Sequence, residues 1–155
     1  MRDMNQVVEK GAKKTMEIAY PVFITVCGKD YLVYIPDLKI YTEGKSYADA
    51  IRMARDAIGL SLMTKQDFKE SVPEPSSYDR ALSMAQKDAD EEMDFSQGIL
   101  SLVDVDVEEY RKKHDKRMVR KNCTIPYYLN EQAEKAGINF SRLLQEALIA
   151  RLGVH

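Results

Sequence analysis

Three short segments in the first third of the chain, bounded by turn residues, have the composition of β-strands. Residues 19–27 and 31–35 are rich in β-branched and aromatic side chains and are separated by a Gly-Lys-Asp stretch at 28–30. Such a gap favours a tight turn, so the two segments predict an antiparallel hairpin. Residues 40–44 predict a third strand after the Pro-Asp pair that closes the hairpin.

Further along the chain, apolar residues recur with a period of three to four residues, which predicts helices. Ser46 is a good N-cap, and the apolar positions that follow it share one helical face as far as Ser61. Two prolines within 72–77 break this helix. A second amphipathic helix is predicted at 78–94, and an apolar run followed by alternation predicts a fourth strand at 98–106.

The last third of the chain has a pattern of one strand and two helices. Residues 120–126 alternate with period two, Pro126 suits the first turn of a helix that ends at Gly137, and Asn139 suits the N-cap of a second helix. One strand and two strongly apolar helices cannot enclose a core in so few residues. We therefore expect this module to pair with a second copy. The charged residues 107–117 predict a linker in front of it.

The charge of the chain is divided unevenly along its length. The 155 residues have a net charge of −2. Residues 1–109 contain 13 Lys and Arg against 21 Asp and Glu, a net charge of −8, whereas residues 110–155 contain 10 against 4, a net charge of +6. An acidic front and a basic back favour two partners of opposite charge. A merely solvated acidic surface is the alternative for the front half.

Composition also argues against several classes of protein. No run of 18 apolar residues predicts a membrane span, and the N-terminus lacks the apolar run of a signal peptide, so we expect a cytoplasmic protein that does not bind membranes. No pair among the two histidines and two cysteines has metal-ligand spacing. We expect no metal or other cofactor, and we expect Cys27 and Cys123 to be reduced and partly buried.

One face of the strand predicted at 120–126 is suited to reading DNA. Arg120, Asn122 and Thr124 project to the same side of an extended chain. Arg can bind guanine with two hydrogen bonds, Asn can bind adenine in the same way, and Thr offers a hydroxyl and a methyl group. The positive charge of this half favours the same partner. A dimerisation module with a polar ribbon is the alternative.

Residues 120–152 resemble the ribbon-helix-helix family, in which strands from two chains form an antiparallel ribbon that enters the major groove. The resemblance implies operator double-stranded DNA as a partner, a homodimer or tetramer, and base reading by the three polar side chains. Lys121 departs from the family, which usually has an apolar residue there. The positions that match the family's phosphate clamp are Asn139, Phe140, Ser141 and Arg142. Those that match its dimer core are Cys123, Ile125, Leu129, Leu144, Leu148 and Leu152.

Residues 20–76 resemble the HicB family of antitoxins. The shared features are a hairpin that ends in a Pro-Asp-Leu turn at 36–38, a Glu-Gly step at 43–44 before an alanine-rich helix, and a Pro-Glu-Pro-Ser stretch at 73–76. The resemblance implies an α+β fold, with a partial ribonuclease-H-like domain of three antiparallel strands, a helix and a fourth strand, followed here by the ribbon-helix-helix module. It also implies an antitoxin that occludes a HicA-like ribonuclease toxin and represses its own operon.

The two resemblances divide the chain into four parts. These are a tail at 1–17, a toxin-binding domain at 18–106 with a helical insertion at 78–94, a linker at 107–117, and a DNA-binding and dimerisation domain at 118–155. An acidic surface attracts a basic toxin. The acidic residues expected to contact it are Asp37, Glu43 and Asp49.

Two other functions compete with that of an antitoxin. A nuclease would need several carboxylates that converge on Mg²⁺, but Asp104 and Asp106 on the fourth strand and Asp37 in a turn do not make a full set, so catalysis is not expected. A ligand-sensing repressor would bind a small molecule with its front domain. No glycine-rich phosphate loop or cofactor motif favours that alternative, and binding of a metabolite instead of a ribonuclease would identify it.

Overall fold

The computed structural model describes residues 6–10 and 13–154 of the chain, and the side chains from Thr15 to Val154. The chain divides between Lys116 and Arg117 into two compact units. We call them the front unit and the C-terminal unit and describe each by itself.

The front unit is built on an antiparallel sheet with the long strand β2 at its centre. Its strands within the described residues are β1 (Gln6–Lys10), β2 (Lys13–Cys27), β3 (Asp30–Ile35), β4 (Ile40–Gly44) and β5 (Ile99–Asp106). β4 pairs with β3, while β1, β3 and β5 all pair with β2. The predicted hairpin, the third strand and the fourth strand are confirmed, and the fold is α+β.

The register of the sheet shows which strands share an edge of β2. Glu17 pairs with both β1 and β5, and Phe23 pairs with both β3 and β5. Since a strand has one neighbour on each side, β1 and β3 lie along one edge of β2 and β5 lies along the other. β2 begins at Lys13, so the described part of the tail predicted at 1–17 belongs to the sheet, and the rest of that tail lies outside the described residues. Charged residues at 13, 14 and 17 hide this extension from the apolar pattern.

One face of the sheet is covered by the predicted helix α1 (Tyr47–Asp67). Ser46 caps this helix, because its hydroxyl accepts the N–H of Asp49 at 3.1 Å and the Asp49 carboxylate accepts the N–H of Lys45 at 2.8 Å. The helix and the inward residues of β2, β3 and β5 form the main core. Its buried apolar residues include Ile18, Tyr20, Val22, Ile24, Val33, Ile35, Ala50, Ala54, Ile58, Leu62, Val103 and Val105.

The opposite face of the sheet is partly covered by α2 (Tyr78–Lys87). Ala81 and Ala85 of this helix pack against Phe23 and Tyr34 and form a second, smaller core. The segment predicted as an insertion therefore supplies the cover for part of the sheet.

The helix α2 ends at Lys87 and not at residue 94 as predicted. Beyond it, the Asp90 carboxylate accepts the N–H groups of Glu92 at 2.9 Å and Met93 at 2.7 Å. A side chain that binds nearby backbone in this way favours a turn over a helix. The acidic stretch at 88–94 is consequently a loop on the α2 side of the sheet.

The helix α3 (Val107–His114) corrects the linker predicted at 107–117. Val107 is buried, and the Tyr110 ring lies against Gly59 of α1 with its hydroxyl donating to Asp56 at 2.9 Å. Two apolar residues on one face are enough to anchor a short helix whose other side chains stay in water. The charged composition hid this face from the sequence pattern.

The C-terminal unit contains the two predicted helices, α4 (Tyr127–Lys135) and α5 (Phe140–Leu152). Gly137, with φ of 68°, lies between them. Residues 115–126 form neither helix nor strand, so the strand predicted at 120–126 is not formed by the single chain. An isolated strand lacks a hydrogen-bonding neighbour, which is why that prediction requires a second copy.

None of the described helices is long and apolar enough to cross a membrane. Cys27 ends β2, and Cys123 lies in the segment before α4. Both are free thiols and both are exposed, so the expected partial burial is wrong for the single chain.

Candidate functional site

The residues predicted to read DNA lie in the irregular segment that precedes α4. Arg120, Asn122 and Thr124 are all exposed. The alternate residues of the same segment, Lys121 and Cys123 together with Ile125, line a groove of about 540 Å³ against α5. In the single chain, the two alternating sets of side chains therefore have different surroundings: one set lines the groove and the other does not.

The residues predicted to bind phosphate meet at the N-terminus of α5. The Asn139 side chain caps this helix by accepting the N–H of Arg142 at 3.0 Å. The first N–H groups of a helix have no partner within it, so those of Phe140 and Ser141 are placed to meet an anion. The Arg142 guanidinium lies 2.9 Å from Glu146 one turn later, which holds that side chain along the helix surface.

The C-terminal unit leaves most of its apolar side chains in water. Within the described residues of this unit, Ala133 is the buried apolar side chain. The six residues predicted as a dimer core, Cys123, Ile125, Leu129, Leu144, Leu148 and Leu152, are all exposed. Leu143, which the helical period places on the same face, is exposed as well, and so are Ile138 and Ile149, which that period does not single out. An apolar face of this extent that is left in water marks an interaction surface.

Two of the three acids predicted to contact a toxin are held by bonds within the front unit. The Asp37 carboxylate binds the N–H and the hydroxyl of Ser76. The Asp49 carboxylate binds the N–H of Lys45 and the guanidinium of Arg52, which hold its pKa below the usual range. Glu43 is exposed on β4. Of the three, Glu43 is the side chain presented to a partner.

A cleft on the α2 side of the sheet joins β3 and β4 to the acidic loop at 88–94. We call it the aromatic cleft; its volume is about 550 Å³, and Leu32, Tyr41, Glu43, Asp88, Asp90 and Phe95 are among the residues that line it. Apart from Glu43, the sequence pattern does not single out these residues. The acidic run is visible in the sequence, but its position beside Tyr41 depends on the packing of α2.

A cation–carboxylate pair lies at the margin of the aromatic cleft. Lys39 donates to the Asp88 carboxylate and, at 3.2 Å, to the Tyr34 hydroxyl, which itself donates to Asp88. Lys39 and Tyr34 hold the pKa of Asp88 below its usual range, and Asp88 raises that of Lys39. Burial, followed by the bond to Asp88, raises the pKa of Tyr34 to about 12. These groups keep a carboxylate ionised beside an aromatic surface.

The acids on β5 have structural partners. The Arg55 guanidinium binds the Asp104 carboxylate at 3.1 Å, and the Asp106 carboxylate accepts the N–H of Glu109 at 3.0 Å, which caps α3. Within the part of the chain that the structure describes, no three His, Cys, Asp or Glu side chains are grouped to hold a metal ion.

Comparisons with known proteins give one family. The family model described as "HicB_like antitoxin of bacterial toxin-antitoxin system" matches residues 20–148. A toxin–antitoxin complex from Streptococcus pneumoniae shares the fold with a TM-score of 0.57 and 24% identity, over 88% of this chain and 99% of that one. The antitoxin HicB of Burkholderia pseudomallei gives a TM-score of 0.45 and 23% identity, over 87% of this chain and 96% of that one. A search of curated proteins gave no match.

Proposed function

The chain belongs to the HicB-like antitoxins of bacterial toxin–antitoxin systems, and from this premise we propose that it binds and occludes a HicA-like ribonuclease toxin and represses its own operon. The two activities are assigned to different units. The front unit, as a partial ribonuclease-H-like domain, blocks the toxin. The C-terminal unit, as a ribbon-helix-helix dimer, binds the operator.

The exposed apolar face of the C-terminal unit is the observation that carries the DNA-binding half of the proposal. A second copy of residues 120–126 would pair with the first, and the Leu144 and Leu148 side chains of both copies would leave water. In that ribbon the residues that line the groove, such as Cys123 and Ile125, face inward. Arg120, Asn122 and Thr124 then face outward together, toward the major groove.

Charge supports a different partner for each unit. The C-terminal unit, residues 117–155, contains 6 Lys and Arg against 3 Asp and Glu, a net charge of +3, which suits a polyanion such as DNA. The front unit, residues 1–116, contains 17 against 22, a net charge of −5, which suits a basic, RNA-binding toxin. The front unit acts by covering the toxin's RNA-binding surface, so its own carboxylates need no catalytic arrangement and the antitoxin is not an enzyme.

The operator half of the proposal is tested by titrating the protein onto DNA from its own promoter. Asn122→Ala should cost roughly 1–3 kcal/mol of binding free energy and relax the preference at one base pair. Gln132→Ala is the control, because this polar side chain is exposed on α4 and lies outside both the reading face and the groove. A footprint unchanged by Asn122→Ala would place the reading face elsewhere.

The toxin half is tested by co-expression with the reading frame beside the gene for this chain. A small ribonuclease encoded there should stop growth alone and should be silenced by this chain. Continued arrest despite abundant, folded antitoxin would overturn occlusion. If calorimetry then finds a metabolite that binds the front unit, the chain is instead a ligand-sensing repressor.

A further inference from the structure

The aromatic cleft offers a binding surface whose chemistry specifies the kind of side chain that it accepts. We propose that it receives an arginine or lysine side chain of the toxin. The inference rests on the proposed function and deepens it, since it names the surface of the front unit on which the toxin docks.

The floor of the aromatic cleft includes the exposed Tyr41 ring and the partly exposed Phe95 ring, and the buried Tyr34 ring lies behind Tyr41. Tyr34 and Tyr41 stack with ring centroids 4.7 Å apart and planes at 17°, and the Phe95 ring lies 5.8 Å from that of Tyr41. Tyr41 remains 58% exposed although its neighbour Tyr34 is buried. Because the face of an aromatic ring is negative, it attracts a cation placed over it.

The rim of the aromatic cleft is acidic on two sides. Five of the seven residues in the loop at 88–94 are Asp or Glu, and Asp88 and Asp90 of this loop line the cleft. Glu43 lines it from β4. Carboxylates around an aromatic floor complement the long apolar stem and charged head of arginine or lysine.

The chain already binds one cation of its own by this chemistry. The Lys39 ammonium lies 5.9 Å from the centre of the Tyr34 ring and binds Asp88. That contact occupies only the margin of the cleft. Tyr41, Glu43 and Phe95 therefore remain available to a second cation along the rest of it. Within the described residues β4 pairs only with β3, so its other edge is open to the backbone of a partner beside the cleft.

Affinity for the purified protein encoded by the adjacent reading frame tests the docking surface, with two matched pairs of variants in the full chain. Tyr41→Ala removes the exposed ring of the cleft, and Tyr78→Ala removes a ring that is equally exposed, at 58%, on α2. Glu43→Lys reverses a charge on the rim, and Glu109→Lys makes the same reversal on α3, which packs with α1 on the other side of the sheet. Circular dichroism establishes that each variant is folded.

We expect Tyr41→Ala and Glu43→Lys each to raise Kd by about tenfold or more, and the two controls to change it by less than about threefold. Equal losses for Glu43→Lys and Glu109→Lys would show general charge attraction and overturn the cleft. If all four variants retain binding, the proposal that the toxin docks at the cleft is wrong, but the proposed function stands. Absence of binding by the unaltered chain would overturn the proposed function with it.

Ring resonances give a second readout that does not depend on a variant. On addition of the same purified protein, the NMR signals of Tyr41 and Phe95 should shift, whereas that of the exposed Phe68 at the end of α1 should not. Unshifted Tyr41 and Phe95 signals in a saturated complex would overturn docking at the cleft.

Discussion

The Asp37 carboxylate accepts hydrogen bonds from both the hydroxyl and the backbone N–H of Ser76, the latter at 3.1 Å. This bond joins the turn after β3 to the stretch before α2, across 39 positions of the chain. The Tyr20 hydroxyl fixes the same stretch by donating to the carbonyl of Pro73 at 2.5 Å. The Pro-Asp-Leu turn and the Pro-Glu-Pro-Ser stretch are therefore two parts of one contact.

Asp37 should contribute to folding more than an exposed acid does. Asp37→Ala would leave the N–H and hydroxyl of the buried Ser76 without an acceptor, which should lower the free energy of unfolding by about 1–3 kcal/mol. Asp30→Ala is the control, since its pair with Lys45 is exposed and contributes little to stability. Urea denaturation measures both, and equal small losses would contradict the role given to Asp37.

Replacing Gly59 by alanine should destabilise the protein, which is the opposite of the usual effect of Gly→Ala in a helix. That substitution normally stabilises a helix by about 1 kcal/mol, but here the new methyl group would meet the Tyr110 ring at 2.4 Å. We expect Gly59→Ala to destabilise the protein by about 1–3 kcal/mol through overpacking. In a Tyr110→Ala background the same change should become stabilising. Thermal unfolding of the four proteins checks this, and a stabilising Gly59→Ala in the unaltered background would contradict the packing of α3.

Leu148 and Leu60 should respond differently to a charge, although they are similarly exposed in the single chain, at 49% and 52%. If two copies bury Leu148, then Leu148→Asp places an unpaired charge in the interface and should abolish the dimer. Leu60→Asp, on α1, should leave it intact. Light scattering and sedimentation measure the oligomeric state of both variants. A stable monomer for the unaltered protein would refute the ribbon.

The front unit should lose stability as the pH rises from the ordinary pKa of tyrosine to the raised pKa of Tyr110. Burial, followed by the bond to Asp56, raises the pKa of Tyr110 from 10.0 to about 12. The unfolded chain loses this proton near pH 10.0, so the stability that Tyr110 confers is complete below that pH and is lost as the pH rises to about 12. Tyr110→Phe should make this decline shallower, and an unchanged slope would contradict the role given to the Tyr110 hydroxyl. Denaturation curves across this range measure the slope.

The sequence predicts the elements that follow a simple period and misses those that depend on distant contacts. The strands β3, β4 and β5 follow short segments of strand-favouring residues, and the helix α1 follows an N-cap and a helical period; all of these signals are local. The beginning of β2 and the helix α3 carry many charges, and they form because β1 and Gly59 lie beside them. A pattern of residue types along the chain does not contain that information.

The candidate sites also differ in whether their residues are close together in the sequence or are brought together only by the fold. The prediction for Arg120, Asn122 and Thr124 rests on a period of two within five residues, and the alternate residues Lys121, Cys123 and Ile125 line the groove. The prediction for Asp37 and Asp49 rests on negative charge beside the edge of the hairpin, and both carboxylates are bound within the front unit. The aromatic cleft brings β4 together with a loop more than 40 positions away, so it could be recognised only in the folded chain.

Cleavage of RNA by the purified toxin, measured while the intact chain is titrated in, tests the central claim most directly. If this chain is the antitoxin that occludes the ribonuclease, cleavage should fall in proportion to the chain added and stop when the binding sites are filled. The inhibition should not require DNA. Full cleavage in the presence of a large excess of folded chain would contradict the proposed function.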